Sequence, residues 1–152
     1  MEIKFKNHSL DFIRDGEHNL IANAEIGNYN QIEIDININQ FTKKIDNDMI
    51  LNILEYTNKE INYLENEFKP LLNQLLLKQY SHYKESIELE NIEFIFVGIW
   101  IKSMHVFNSQ FELVYHLDGK SKYPNLDVIG NWTINFSGSI NNWVISGVNR
   151  IG

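Results

Sequence analysis

The chain has 152 residues, of which 43% are hydrophobic, 12% aromatic and 22% charged, the composition of an ordinary globular domain. It contains no cysteine, which excludes disulfides, thiolate nucleophiles and Cys-ligated metal sites. Twenty acidic against thirteen basic residues give a net charge of -7, the wrong sign for binding a phosphate backbone, so we expect no nucleic-acid partner.

The N-terminal segment and the most apolar run both argue against export and membrane insertion. Residues 1–8 lack the continuous apolar stretch that a secretory signal requires. The most apolar run, residues 94–101, is far shorter than the about 20 residues that a membrane-spanning helix needs. We therefore expect a cytoplasmic protein without a membrane partner, and we assign the apolar run to a buried strand.

Residues 1–41 have the pattern of β-strands. Isoleucine alternates with polar residues over 32–39, which predicts a strand with one buried face and one wet face. Residues 20–26 alternate in the same way, and the turn-forming residues 27–30 between the two runs predict a β-hairpin. A further strand is expected at residues 2–6.

The pattern changes over residues 46–86, where apolar residues recur every three or four positions, as on one side of an α-helix. A short polar side chain at position 46, 47 or 48 can cap the first turn. Pro70 interrupts the pattern, because proline has no N–H and biases the preceding residue away from helical angles. The sequence therefore predicts either two helices, about 47–68 and 70–84, or one kinked helix over about 47–84.

Residues 92–152 return to the two-residue period of strands. A first hairpin can turn at residues 108 and 109, a register that pairs His105 with Glu112. The alternation in this part of the chain also places all three tryptophans on inward faces, so we expect Trp100, Trp132 and Trp143 in the core.

A second hairpin is predicted at the C-terminus. Asn141-Asn142 follows an alternating run and tolerates the left-handed angles of a two-residue turn. This register sets Ile140 opposite Trp143 and Gly138 opposite Ile145, so that a large side chain covers the glycine. A tighter turn centred on residues 137–139 is the alternative.

One polar cluster on the first hairpin has the residue types of a reactive site. A serine, a histidine and a carboxylate can act as nucleophile, base and orienting group, and two histidines with two acids can bind zinc. However, the sequence offers no oxyanion hole or nucleophile elbow, so we expect a solvated face, with no catalytic residue, metal or cofactor. The cluster consists of Ser103, His105, Glu112, His116 and Asp118.

Surface acids are the candidate partner-binding residues. Residues 46–91 hold nine acids and four bases, so the negative charge is concentrated on the helical segment. An acidic surface steers a basic protein partner toward it, and some inhibitors mask basic nucleases in this way. The candidates on the strand and the helices are Glu33, Asp35, Glu55, Glu60, Glu65 and Glu67.

The end of the chain resembles a known group of small domains. The segments Trp132–Phe136 (WTINF) and Trp143–Arg150 (WVISGVNR), at the end of an acidic chain with strand-helix-strand order, look like small bacterial α+β domains of unknown function, including immunity proteins encoded beside polymorphic toxins. The resemblance implies a cytoplasmic binder that occludes a toxin. Its motif is a structural hairpin, so it carries no active site over to this chain.

These patterns predict a single α+β domain over residues 1–152. Its fold is one antiparallel sheet of about six to seven strands, with the helical segment inserted mid-chain and packed on one face. Three functions are open: a non-enzymatic protein-binding domain of the immunity type, a hydrolase or metal-dependent enzyme using the His/Glu cluster, and a small-ligand carrier. We favour the first, as a monomer or a homodimer, with a basic toxin domain as partner.

Overall fold

A computed structural model describes residues 1–38, 45–79, 93–105, 108–118 and 130–151, with side chains except at positions 69, 71–79 and 118. These ranges contain nine strands and one helix. The elements are β1 (Glu2–Phe5), β2 (His8–Asp11), β3 (Ile13–Asp15), β4 (Asn19–Ile26), β5 (Tyr29–Asn37), α1 (Asn47–Gln79), β6 (Glu93–Ser103), β7 (Ser109–Asp118), β8 (Gly130–Ser139) and β9 (Asn142–Arg150).

Seven strands form one mixed sheet in the order β3-β4-β5-β6-β7-β8-β9, and β1 and β2 form a separate two-stranded sheet. All neighbours in the large sheet are antiparallel except β5 and β6, which are parallel. The prediction of a single antiparallel sheet is therefore wrong. The reason is α1: its 33 residues at about 1.5 Å each span about 50 Å, enough to return the chain to the end of the sheet where β5 began.

The helical segment is one helix, α1, which continues through Pro70. The two-helix alternative is wrong, and residues 80–84 of the predicted span lie outside the described residues. Pro70 is exposed, so the carbonyl that loses its hydrogen bond there can reach water. The predicted cap is confirmed, because the backbone N–H of Met49 donates to Oδ1 of Asp46 over 3.1 Å.

The core lies between α1 and one face of the large sheet, which we call the core face. Strands from both ends of the chain contribute to it, and the rings of Phe111 and Phe136 stack with centroids 4.8 Å apart. The opposite face of the sheet is called the outer face. Fully buried residues of the core include Ile34, Ile36, Ile50, Ile53, Leu54, Ile61, Ile99, Ile101, Phe111 and Phe136.

The C-terminal hairpin turns one residue earlier than predicted. Ser139 pairs with Asn142 and Gly138 with Trp143, so the turn residues are Ile140 and Asn141. Asn141 takes the left-handed φ of 63°, which asparagine tolerates. The register is set by packing: Trp143 lies edge-on to Phe111 with centroids 5.0 Å apart, which the predicted pairing with Ile140 did not anticipate.

Trp100 lies on the outer face and is half-buried, whereas Trp132 and Trp143 are buried as predicted. The register of β6 shifts between Phe96 and Gly98, where β7 shows no matching shift. This irregularity inverts the alternation, so Phe96 before it and Ile99 after it both face the core. A strict two-residue period along β6 could not place Trp100 correctly.

Candidate functional site

The polar cluster predicted on β6 and β7 is spread along the hairpin. Glu112 pairs with Trp100, and the last pair is Ser103 with Gln110, so the predicted pairing of His105 with Glu112 is wrong. His105 lies in the connection after β6, where its backbone N–H donates to Oγ of Ser109 over 3.0 Å and its carbonyl accepts from the same hydroxyl over 2.9 Å. The shifts in β6 move His105 past the end of the ladder.

The remaining members of that cluster make separate contacts. Oε2 of Glu112 lies 3.7 Å from Nζ of Lys102, and Nδ1 of His116 lies 3.0 Å from Oδ1 of Asn131. Glu112 and His116 are four residues apart on one strand, a separation of about 13 Å, too far to share one small ligand. The side chain of Asp118 lies outside the described part of the chain. Across the described residues, no three His, Asp or Glu side chains are grouped to hold a metal ion.

The six candidate acids occupy three different surfaces. Glu33 and Asp35 lie on the outer face, because the alternate residues Ile32, Ile34 and Ile36 are buried under α1. Glu65 turns from α1 toward the sheet, whereas Glu55 and Glu67 are exposed and Glu60 is half-buried at the border between the buried and exposed sides of α1. The structure therefore does not combine the strand acids and the helix acids into one patch.

The outward side of α1 also carries a large exposed aromatic side chain. Tyr63 is 61% exposed. It lies one helical turn from Glu60 and one turn from Glu67, so the three side chains form a stripe along the helix. The exposed Lys59 lies one turn after Glu55 and one turn before Tyr63, so it separates Glu55 from this stripe. We call Glu55, Glu60, Tyr63 and Glu67 the α1 acidic face.

Glu65 is the centre of a polar contact that the sequence did not predict. Oε1 of Glu65 accepts hydrogen bonds from the hydroxyls of Tyr29, over 2.6 Å, and Tyr115, over 3.2 Å. Burial is the main cause that raises the pKa of both tyrosines, and the adjacent Glu65 carboxylate raises each pKa further. Both hydroxyls therefore stay protonated and donate to Glu65. Residues 29, 65 and 115 share no sequence motif, so only the fold brings them together.

A small cavity lies beside Glu65, between α1 and the sheet. Its volume is about 20 Å³, which admits about one water molecule. Trp132, only 8% exposed, lines this cavity, and its indole Nε1 has no hydrogen-bond partner among the described residues. The described lining residues are Glu65, Phe68, Phe94, Tyr115, Trp132, Ile134 and Val148.

A charged cleft of about 140 Å³ lies on the outer face beside Asp35. Nζ of Lys102 lies 4.7 Å from the ring centre of Trp100, over which it stacks as a cation. The pKa of Asp35 is raised chiefly by burial and further by the negative charges of Glu33 and Asp15. Lys102 acts in the other direction and lowers it. The described residues that line the cleft supply a carboxylate, an ammonium group and amides, and none of them is a nucleophile activated by a base.

A groove of about 570 Å³ lies between the β1–β2 hairpin and the β4–β5 hairpin. Nζ of Lys6 approaches Oε1 of Glu25 to 3.5 Å, and both side chains are substantially exposed. Amide, hydroxyl and charged groups form about half of the groove's lining and can hydrogen-bond water or a polar molecule, while Phe5, Leu10 and Ala24 contribute apolar surface. Its lining includes Lys6, His8, Ser9, Asn23, Glu25, Asn30 and Gln31.

Comparison with known proteins adds no family or fold relative. No protein-family model, curated protein or solved structure matches the chain. Within the described ranges, no helix is both long enough and apolar enough to span a membrane.

Proposed function

We propose that the chain is a non-enzymatic protein-binding domain that docks a basic protein on the α1 acidic face. We further propose that it acts in the bacterial cytoplasm as an immunity-type inhibitor, with a basic toxin domain as its partner. The observation that carries the proposal is the exposure of Tyr63, 61% exposed between the carboxylates of Glu60 and Glu67.

The chemistry of the α1 acidic face suits protein recognition. Tyrosine is enriched among the residues that contribute most to binding, because it supplies a large contact area with few rotatable bonds. Carboxylates around it attract a basic partner and orient it during the encounter. A partner that buries Tyr63 between two neutralised carboxylates gains both effects.

The backing of the α1 acidic face is rigid. The inward side of α1 carries Ile53, Leu54 and Ile61, all fully buried against the sheet. The turn between β4 and β5 is also fastened to the helix, because the backbone N–H of Gly27 donates to Oδ1 of Asn58 over 2.8 Å. A surface held in this way loses little conformational entropy on binding, which favours affinity.

Protein binding accounts for the described geometry better than the two alternatives. A hydrolase or metal enzyme using His105, Glu112 and His116 needs side chains that converge, and these three make separate contacts along the hairpin. A carrier needs a cavity of several hundred Å³ between α1 and the sheet, and the cavity found there admits about one water.

Charge reversal tests the proposal. The full chain is used as bait in lysate of the source organism at near-physiological salt, beside the triple variant Glu55→Lys, Glu60→Lys, Glu67→Lys. The matched control is Glu17→Lys, Glu33→Lys, Glu93→Lys, which changes the net charge equally at exposed acids off the helix. We expect a basic protein bound by the wild type and the control and lost by the helix triple variant.

The affinity of the recovered partner then tests Tyr63 itself. Tyr63→Ala should weaken binding by about 30-fold, the effect expected of a central aromatic contact. Recovery of no partner by the wild type argues against a protein-binding function. Loss of the partner by the control triple variant alone would place the binding surface at one or more of Glu17, Glu33 and Glu93 instead of the α1 acidic face.

A further inference from the structure

The two edges of the large sheet differ in length. On one side the edge strand is β3, with only three residues, Ile13–Asp15. On the other side it is β9, with nine residues, Asn142–Arg150. Among the described strands, neither edge strand has a neighbour on its outer side. An edge strand presents a row of backbone N–H and C=O groups, and another strand is the element that satisfies such a row. The short β3 offers few such groups, whereas β9 offers many.

Exposed apolar side chains are concentrated at the start of β9. Val144 is 63% exposed, Ile145 is 47% exposed and Ile140, in the adjacent turn, is 39% exposed. Val144 pairs with Ser137 on the outer face, whereas Ile145 pairs with Phe136 and lies toward the core face. Both sides of the edge are therefore apolar at the same place, which is typical of a strand that is covered in its working state.

The charges that usually protect an edge are missing from this one. Residues 130–151, which contain the whole β8–β9 hairpin, hold a single charged residue, Arg150, although the chain carries a net charge of -7. Two β8–β9 hairpins that meet here bring no like charges of their own together at the start of β9. A strongly basic or acidic partner, by contrast, finds no charge to pair with at this edge.

We infer that the start of β9 pairs with the same segment of a second copy of this chain. Antiparallel pairing about a two-fold axis at Val144 sets the Val144 side chains of the two copies against each other on the outer face. The same register sets Trp143 of one copy opposite Ile145 of the other, toward the core face. The β9 bulge near Ser146 limits regular pairing to this short segment, so the dimer is weak.

Sedimentation velocity of the full chain tests the inference. The wild type should shift from the 17.9 kDa monomer to a dimer as its concentration rises across about 1–100 μM, the range in which a weak dimer dissociates. Val144→Lys places two like charges at the two-fold axis and should raise the dimer Kd by about tenfold or more. The matched control is Ile13→Lys, since Ile13 is 60% exposed on the other edge strand and should leave the Kd unchanged.

Cross-linking tests the inference without requiring that the fold tolerate a lysine at position 144. The chain has no cysteine, so Val144→Cys and Ile13→Cys each introduce a single thiol. With copper-phenanthroline as oxidant, the Val144→Cys variant should form a disulfide-linked dimer much faster than Ile13→Cys. A wild type that stays monomeric throughout, equal responses of the two lysine variants, or equal cross-linking of the two cysteine variants would each overturn the inference.

Discussion

The two faces of the large sheet differ in how far their apolar side chains are covered. On the core face, α1 covers isoleucine and phenylalanine side chains such as Ile34, Ile99 and Phe111, all with no exposed area. On the outer face, Ile95 remains 40% exposed and Val97 38% exposed. Val114 and Thr133, which pair with each other on the outer face, are nevertheless buried. Stability therefore depends chiefly on the core face, and only the exposed positions of the outer face can vary in charge at low cost.

The largest effect is expected from truncation of a core-face side chain. Ile61→Ala should lower the free energy of unfolding by about 2–5 kcal/mol, because it removes buried methyl groups and leaves a cavity beneath α1. Ile95→Ala on the outer face is the matched control and should cost less than about 1 kcal/mol. Urea denaturation of both variants measures the difference. Equal losses would mean that the outer face is packed as tightly as the core face.

A second prediction concerns the polar contact that fastens α1 to the β8–β9 turn. Oδ1 of Asn52 accepts from Nε1 of the buried Trp143 over 2.9 Å and from the backbone N–H of Asn141 over 3.1 Å. Asn52→Ala leaves the indole N–H of Trp143 without an acceptor and should cost about 1–3 kcal/mol.

The control for that contact is Asn66→Ala, at an exposed position of α1. This substitution removes an amide from the same helix without leaving a buried donor unpaired, and alanine favours helix, so it should be neutral or slightly stabilising. Chemical denaturation compares the two variants. If Asn52→Ala proved as mild as Asn66→Ala, water would have to satisfy Trp143 in place of Asn52.

The part of the fold that follows local periodicity could be predicted from sequence. The isoleucine alternation of β5 and the three-to-four spacing of α1 were both confirmed, because each reports directly which side of an element is buried. The predictions that proved wrong concerned contacts between residues that are far apart in the sequence. The parallel pairing of β5 with β6 follows from the direction in which α1 returns the chain, which periodicity does not encode.

The candidate sites were harder to predict from the sequence than the fold, because they depend even more on contacts between distant residues. A register shift within β6 separates His105 from Glu112, and no local pattern of apolar residues marks that shift. The contact of Glu65 with Tyr29 and Tyr115 joins a turn-proximal strand, a helix and a central strand. Side-chain convergence of this kind needs coordinates, because each residue alone has an ordinary sequence environment.

A third prediction uses the buried tyrosine hydroxyls at Glu65. The raised pKa of Tyr115 means that the folded protein keeps this proton while the unfolded chain loses it near pH 10. The stabilising contribution is therefore complete below about pH 10 and is lost as pH rises further. Tyr115→Phe should lose about 1 kcal/mol at pH 7, yet its stability should fall less steeply than that of the wild type above pH 10. Parallel slopes in urea melts would contradict the assigned environment of Tyr115.

The smallest predicted effect is on the outer face, at Asp35. Burial, with the negative charges of Glu33 and Asp15, raises the pKa of this carboxyl, so the folded state holds its proton more tightly than the unfolded chain. The contribution of Asp35 to stability is then complete below about pH 3.9 and is lost as pH rises through the folded pKa. Asp35→Asn should therefore be more stable than the wild type at pH 7, by less than about 1 kcal/mol because solvent screens a partly exposed charge.

Urea melts at pH 7 and near pH 4 check both the sign and the pH dependence, since the advantage of Asp35→Asn should shrink as the wild-type carboxyl becomes protonated. A variant less stable than the wild type at pH 7 would mean that attraction to Lys102 outweighs the cost of burying Asp35. Charge pairing would then stabilise the outer face, as burial stabilises the core face. The two faces would differ in the kind of interaction that stabilises them rather than in how much stability each contributes.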